Sequence, residues 1–152
     1  VFVMKERLAG PGVTAATAMA AVGSVHAGFE VIDSRFTDFK FTLPDVVADN
    51  ASSSRLFIGA SGTDPAGLDL ALEAVVLSVN GTVVATATGA AVQGHPGEAL
   101  ALAANALAER GEAIEAGAVV LTGGLTDAVF VRPSEQITAE FTNLGTLTVT
   151  GA

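Results

Sequence analysis

A chain of 152 residues, half of them apolar, is long enough for one domain with its own core. Its net charge of −9, with only seven Lys and Arg and no basic cluster, argues against a nucleic-acid partner. The lack of cysteine excludes a disulfide framework, a zinc–thiolate site and a thiol nucleophile, and no apolar run is long enough to span a membrane as a helix. The lack of cysteine suits a reducing compartment and no signal peptide is visible; the expected setting is cytoplasmic. Charged residues make up 15%, against about a quarter in ordinary domains. A chain this poor in charge is expected to hide surface against copies of itself, as a homo-oligomer, or against another partner; the alternative is a compact Ala-rich monomer.

The chain opens on "VFVM", which reads as a strand already under way. With no initiator Met and no polar lead-in, an upstream part is expected to be missing. Gly10 to Gly12 is a turn. Thr14 is placed to N-cap an Ala-rich helix to about His26, with Gly28 as its stop. Phe29 to Ile32 is a strand. Leu43, Pro44 and Asp45 start a short helix, with Pro44 in its first turn. Arg55 to Ile58 is a further strand, and "GASGTDPAG" is a loop.

Leu70 to Val79 and Thr82 to Ala87 are expected as strands joined by Asn80-Gly81, a pair suited to the positive φ angles of a tight hairpin. "GHPG" leads into a helix from about Glu98 to Arg110. Its apolar face is Leu100, Ala103, Ala104 and Leu107, and Gly111 ends it. Four strands follow, at Ala118 to Leu121, Ala128 to Val131, Ile137 to Phe141 and Thr146 to Thr150. The expected fold is a single α+β domain over residues 1–152, mostly antiparallel sheet with two or three helices.

The charges are unevenly spread. Of seven basic and 16 acidic residues, eight lie between Phe29 and Arg55, inside a core-like segment. Alternation along the strand puts Glu30 and Ile32 on one face and Phe29 and Val31 on the other. Apolar neighbours on both faces predict a buried or half-buried Glu30. Such a carboxylate takes up a proton or finds a cation. A metal ion is one partner; Arg35 or Lys40 is another. One carboxylate does not make a metal site, since Mg²⁺ wants octahedral oxygen ligands. The run Asp49 to Ser54 reads as a loop of Asx and Ser turns, or as a loop holding a carboxylate or a metal-bound water. His95 precedes a helix, where it is a loop residue with a backbone hydrogen bond or an acid–base group. His26 looks like a helix-end residue. Thr122 to Gly124 is a tight turn or a close backbone approach to a ligand. These features alone give no reaction.

Several stretches together resemble a known group. "EVIDSR" at Glu30 to Arg35 and "VVADNASSSR" at Val46 to Arg55 are similar to the 4-oxalocrotonate decarboxylase and 2-keto-4-pentenoate hydratase group of the fumarylacetoacetate hydrolase superfamily. "GPG", "GHP", "LAERGE", "AGAVVLTGG" and "LGT" follow in the group's order. Members of the group are longer at the N-terminus, so the resemblance implies a C-terminal portion with a fumarylacetoacetate hydrolase-like fold. It implies Mg²⁺ or Mn²⁺ held by a Glu-x-Glu pair and a third Glu. The pair, with a catalytic Lys and Asp, belongs upstream of Val1; the third ligand maps onto Glu30. Ser52 matches a position whose hydroxyl and neighbouring backbone meet the carboxylate end of the substrate. Thr122 falls in a loop near the site.

"FKF" at Phe39 to Phe41, "GHP" and "TGG" look more like the decarboxylases than the hydratases. "RPSEQ" departs from the usual Pro-Gly-Asp turn at its place. The implied activity is metal-dependent decarboxylation of a 2-oxo-enedioate in meta-cleavage aromatic catabolism, by a homo-oligomer that can associate with the sister hydratase. The alternatives are the hydratase itself, acting on 2-keto-4-pentenoate, or an inactive piece that retains only an oligomerisation interface.

Overall fold

The computed structural model describes residues 1–152, which fall into two compact units. One comprises residues 1–27 and 59–152, the other residues 28–58. The α+β reading holds: nine strands, all paired antiparallel, and three α-helices.

In the larger unit, β1 (Phe2–Met4) lies between β2 (Val22–Val25) and β7 (Val119–Val120). Phe2 and Met4 point into a core shared with Val22, Val25, Leu100, Ala101 and Ala104. Full burial of Phe2 or Leu100 contributes about 2–3 kcal/mol each. Helix α1 (Ala15–Ala20) packs on α3 (Pro96–Ala108). Alanines make the close approach possible, because Ala18 and Ala104 are fully buried and leave no gap. The Asn105 amide fixes the loop before α1, accepting from Val13 N and donating to Val13 O, each at 2.9 Å.

Helix α1 is much shorter than the expected run to His26. Thr14 caps it as expected, through reciprocal bonds with Thr17. It stops at Ala20 because the following Val-Gly-Ser-Val pairs with β1, and ladder bonds outweigh the modest helix preference of that stretch. His26 therefore follows a strand rather than ending a helix.

The second sheet runs in the order β6-β5-β8-β9, built from β5 (Ala74–Val79), β6 (Thr82–Thr88), β8 (Gln136–Phe141) and β9 (Gly145–Thr150). Asn80 and Gly81 take φ of 48° and 81°, the left-handed pair the hairpin requires. Leu77 sits opposite Ala139, and both are buried. The buried Glu73 carboxylate accepts from Asn143 N and Nδ2 at 2.8 Å and from Leu144 N at 3.3 Å, fixing the β8–β9 turn. β5 begins at Ala74 rather than Leu70, because residues 70–73 form a turn whose carbonyls at Ala71 and Glu73 accept from Ala90 and Gly89. The expected strand at Ala128 to Val131 does not form. It has no pairing partner, and Phe130 is 78% exposed. Strand propensity without a ladder is not enough.

The smaller unit is one hairpin, β3 (Gly28–Ile32) against β4 (Ser53–Ile58). Its long connection holds a 3₁₀ turn at Thr37–Phe39, helix α2 (Leu43–Ala48) and a second 3₁₀ turn at Asn50–Ser52. Thr42 starts α2, donating to Asp45 Oδ2 through N at 2.9 Å and Oγ1 at 2.7 Å, with Pro44 in the first turn as expected. The Phe36 and Phe41 rings meet edge to face at 6.2 Å.

A Cβ on Gly89 would stand 1.8 Å from the Leu70 carbonyl oxygen, whereas one on Gly67 meets nothing within 4 Å. Gly89→Ala should therefore cost about 1–3 kcal/mol or more, and Gly67→Ala within about 0.5 kcal/mol of zero. Urea unfolding of the two variants checks this; equal midpoints would refute the close packing at Gly89.

Candidate functional site

Glu30 sits in the middle of β3, paired with Leu56 across the hairpin. Its side chain is exposed, not buried or half-buried as the alternation suggested. β3 and β4 pair only with each other, so strand alternation buries neither face. Ile32, Leu56 and Ile58 are likewise exposed, which gives Glu30 an apolar setting. The expected ion pair to Arg35 or Lys40 does not form: Arg35 turns to Asp49, and Lys40 lies 3.4 Å from Asp38. Glu30 thus keeps both oxygens free of protein partners. Those oxygens are of the type a hard divalent cation takes. Glu30 is one donor only, and nowhere in the chain do three or more His, Cys, Asp or Glu side chains gather to hold a metal.

The dense polar run beyond α2 is organised around Asp49, whose side chain is only 4% exposed. Arg35 Nε donates to Asp49 Oδ1, and Arg35 Nη2 donates to the Asp49 carbonyl. Asp49 Oδ2 accepts from Ser52 Oγ at 3.0 Å, Arg35 N at 3.3 Å and Ser34 Oγ at 3.4 Å. Arg35 also reaches the carbonyls of Asp33 and Ser53 at 2.9 and 3.2 Å. Burial alone would push the Asp49 carboxyl up. The Arg35 backbone N–H, the Ser52 hydroxyl and the Arg35 guanidinium outweigh it and hold the carboxyl below the ordinary aspartate range.

Ser52 is buried, and its hydroxyl is given to Asp49. Asn50, Ala51 and Ser52 have φ of 52°, 54° and 59°, three successive left-handed residues that are not glycine. Such a run costs energy at each residue and persists only where its surroundings over-determine it. Two bonds close the turn: Ser52 N to Asp49 O at 3.0 Å, and Asp33 N to Ser52 O at 2.8 Å. Ser54 is the extra residue of a β-bulge, since Val31 pairs with Arg55 and Ile32 with Ser53.

Glu30 and Ser52 thus belong to one hairpin unit, while Thr122 belongs to the larger unit. Thr122 is half-buried beyond β7, before Gly123 at φ 125°. His95 caps α3: its Nδ1 accepts from Gly97 N at 2.9 Å, so the neutral ring carries its proton on Nε2. His95 also lines a cleft of about 350 Å³ with Lys5, Met19, Asp64 and Leu70, which none of Glu30, Ser52 and Thr122 lines. His26 is held at both ring nitrogens, by Ser24 Oγ and by Gly59 O, each at 2.8 Å. The Arg35–Asp49 pair joins residues 14 apart in sequence, whereas Glu30 stands nearer to Arg35 and is the partner that sequence proximity offers. The joint occurrence of a short Asp-Ser-Arg and a Ser-rich Asp-Asn run was the available signal.

The chain is similar to known proteins along nearly all of its length. The family model described as fumarylacetoacetate (FAA) hydrolase C-terminal matches residues 1–150. A 4-oxalocrotonate decarboxylase of Pseudomonas sp. (strain CF600) is 49% identical over 143 residues, covering 94% of this chain and 54% of that protein. A 2-hydroxyhexa-2,4-dienoate hydratase of Comamonas testosteroni is 42% identical over 148 residues, covering 97% of this chain and 56% of that protein. Among solved structures, 4-oxalocrotonate decarboxylase from Pseudomonas putida G7, complexed with magnesium and adipate, superposes with a TM-score of 0.95 at 44% identity. That match covers 99% of this chain and 57% of the other. The chain spans little more than half the length of these relatives.

Because the folded Asp49 carboxyl lies below its unfolded value, its contribution to stability is present above the ordinary aspartate pKa of 3.8 and is lost as pH falls through the folded value. The stability of the 28–58 unit should be level near neutrality and decline in acid, and Asp49→Asn should flatten that decline. Carboxyl NMR shifts followed from pH 6 to 2 (about the range in which carboxylates titrate) provide the check. Titration of Asp49 at or above its ordinary value would contradict the clamp.

Proposed function

This chain belongs to the fumarylacetoacetate hydrolase C-terminal family, and from that membership we propose that it is the C-terminal catalytic portion of a metal-dependent decarboxylase acting on a 2-oxo-enedioate such as 2-oxo-3-hexenedioate. The observation that carries the reading is Glu30, an unpaired carboxylate on an exposed apolar hairpin face, on a chain whose relatives named decarboxylase are 45–49% identical to it. Relatives named hydratase are 35–42% identical.

The reaction has simple electron bookkeeping. The far carboxyl is vinylogous to the 2-oxo group. Its C–C bond breaks, CO₂ leaves, and the electron pair moves through the conjugated chain to the 2-oxo oxygen. Protonation there gives 2-hydroxypenta-2,4-dienoate. A bound Mg²⁺ or Mn²⁺ supplies a Lewis acid that favours charge developing on that oxygen. Glu30 would give such an ion one oxygen ligand. The Asn50–Ser52 turn, with Ser52 at its end, receives the carboxylate end of the substrate. Burial and hydrogen bonding keep the turn in one conformation, so its alignment is fixed before substrate arrives.

The enzyme works as a homo-oligomer in the cytoplasm and associates with the sister hydratase. Support for assembly comes from large apolar side chains left open to water, among them Phe130 at 78% and Leu43 at 75%. No helix is long and apolar enough to cross a membrane. The second reading is the hydratase, favoured by the 42% identical relative of that name. An inactive piece that keeps only an assembly surface is the third.

Incubation of the intact protein with Mg²⁺ and 2-oxo-3-hexenedioate should release CO₂. Water addition to 2-hydroxypenta-2,4-dienoate without CO₂ release would hand the assignment to the hydratase. Glu30→Gln should weaken Mg²⁺ binding by at least about tenfold, measured by calorimetry; unchanged affinity and turnover would remove Glu30 from the ligand set. The 152-residue chain by itself should show no turnover in the same assay.

A further inference from the structure

We propose that Arg35 and Asp49 are positioning residues for substrate binding, and that Ser52 acts through Asp49 rather than as an independent donor to the substrate. This rests on the reading above, in which the Asn50–Ser52 turn receives the carboxylate end of the substrate. Three facts carry it. The Ser52 hydroxyl is buried and donates to an acceptor-only carboxylate, so its one proton is already committed. An anionic ligand needs donors, and Ser52 Oγ has none left to give. The turn itself is a left-handed run that the chain would relax if nothing held it. What holds it is the Arg35–Asp49 pair. Asp49 binds Ser52 twice, through Oδ2 and through its carbonyl, and Arg35 ties Asp49 to the carbonyls on either side of the connection, at Asp33 and Ser53.

The pair is more than a staple for the fold. A staple would close the connection in any low-energy conformation. This one closes it in a strained conformation, directly before Ser53 and the bulged Ser54, whose hydroxyls make no hydrogen bond within the chain. Clamp, strained turn and free hydroxyls follow one another along the chain. That order fits a device that sets where the free donors stand when a carboxylate arrives.

The test is a double-mutant cycle in the intact protein, with adipate as the probe and Mg²⁺ saturating, read by calorimetry. Asp49→Asn should weaken adipate by about tenfold or more, while Mg²⁺ affinity changes by less than about twofold. Ser52→Ala should give a similar loss. The double variant should be no worse than either single one, because both act through one bond. Arg35→Lys, which keeps the charge and loses the fork, should give an intermediate loss even if Asp49→Asn proves too unstable to assay. Additive losses would show that Ser52 meets the ligand on its own and would overturn the proposal. So would unchanged or tighter adipate binding by Asp49→Asn, or by Arg35→Lys. Failure of the unaltered protein to bind adipate in Mg²⁺ would overturn the functional reading together with this one. Normal binding by the unaltered protein and an unaffected Asp49→Asn would overturn the positioning role alone.

Discussion

The Arg35–Asp49 pair is the constraint on which the 28–58 unit depends. A two-stranded hairpin is marginal by itself, and this one lacks the tight turn that usually fixes register. Its strands are joined by a long excursion whose two ends must be brought together by something other than a short loop. A single carboxylate does this. It is withdrawn from water and surrounded by the guanidinium, two hydroxyls and a backbone N–H, so removing any one donor leaves charge poorly compensated. Register follows from that closure. Glu30 lies opposite Leu56 because the connection closes at Asp33 and Ser52, and a slip of one residue would move Glu30 to the other face.

Much of this was legible in the sequence where the signal is local. Thr14, the Thr42–Pro44–Asp45 start and Asn80-Gly81 each specify a cap or turn through bonds within a few residues, and the structure has all three. Signals that depend on distant partners were harder to read. Val22 to Val25 looked like the end of an Ala-rich helix until β1 was there to pair with it. Ala128 to Val131 looked like a strand, yet no neighbour offers it a ladder. A buried or half-buried Glu30 was the expectation, because alternation reports which residues share a face and says nothing about whether a second layer covers that face. The charge crowding between Phe29 and Arg55 was visible, but its pairing was not: Arg35 is close in sequence to Glu30 and close in space to Asp49.

The low charge content has a structural counterpart. Five of the eight charges in the hairpin unit are engaged locally, Arg35 with Asp49, Lys40 with Asp38, Asp45 with the start of α2. The side chains of Glu30, Asp33 and Arg55 have no partner in the chain, and of these Glu30 is the one set in the middle of β3 opposite Leu56. A carboxylate left open among isoleucines and leucines gains nothing for folding, since water solvates it as well in the unfolded chain.

The long connection of the hairpin also bears on how such a chain can change over time. Arg35 and Asp49 tie down its two ends, and the stretch from Phe36 to Ala48, with its 3₁₀ turn and short helix, hangs between them. Substitution, lengthening or shortening there need not disturb the register of β3 and β4, because register is set outside it. The hairpin therefore separates a segment that must stay as it is from one free to drift, and Glu30 keeps its place opposite Leu56 whatever happens to the second.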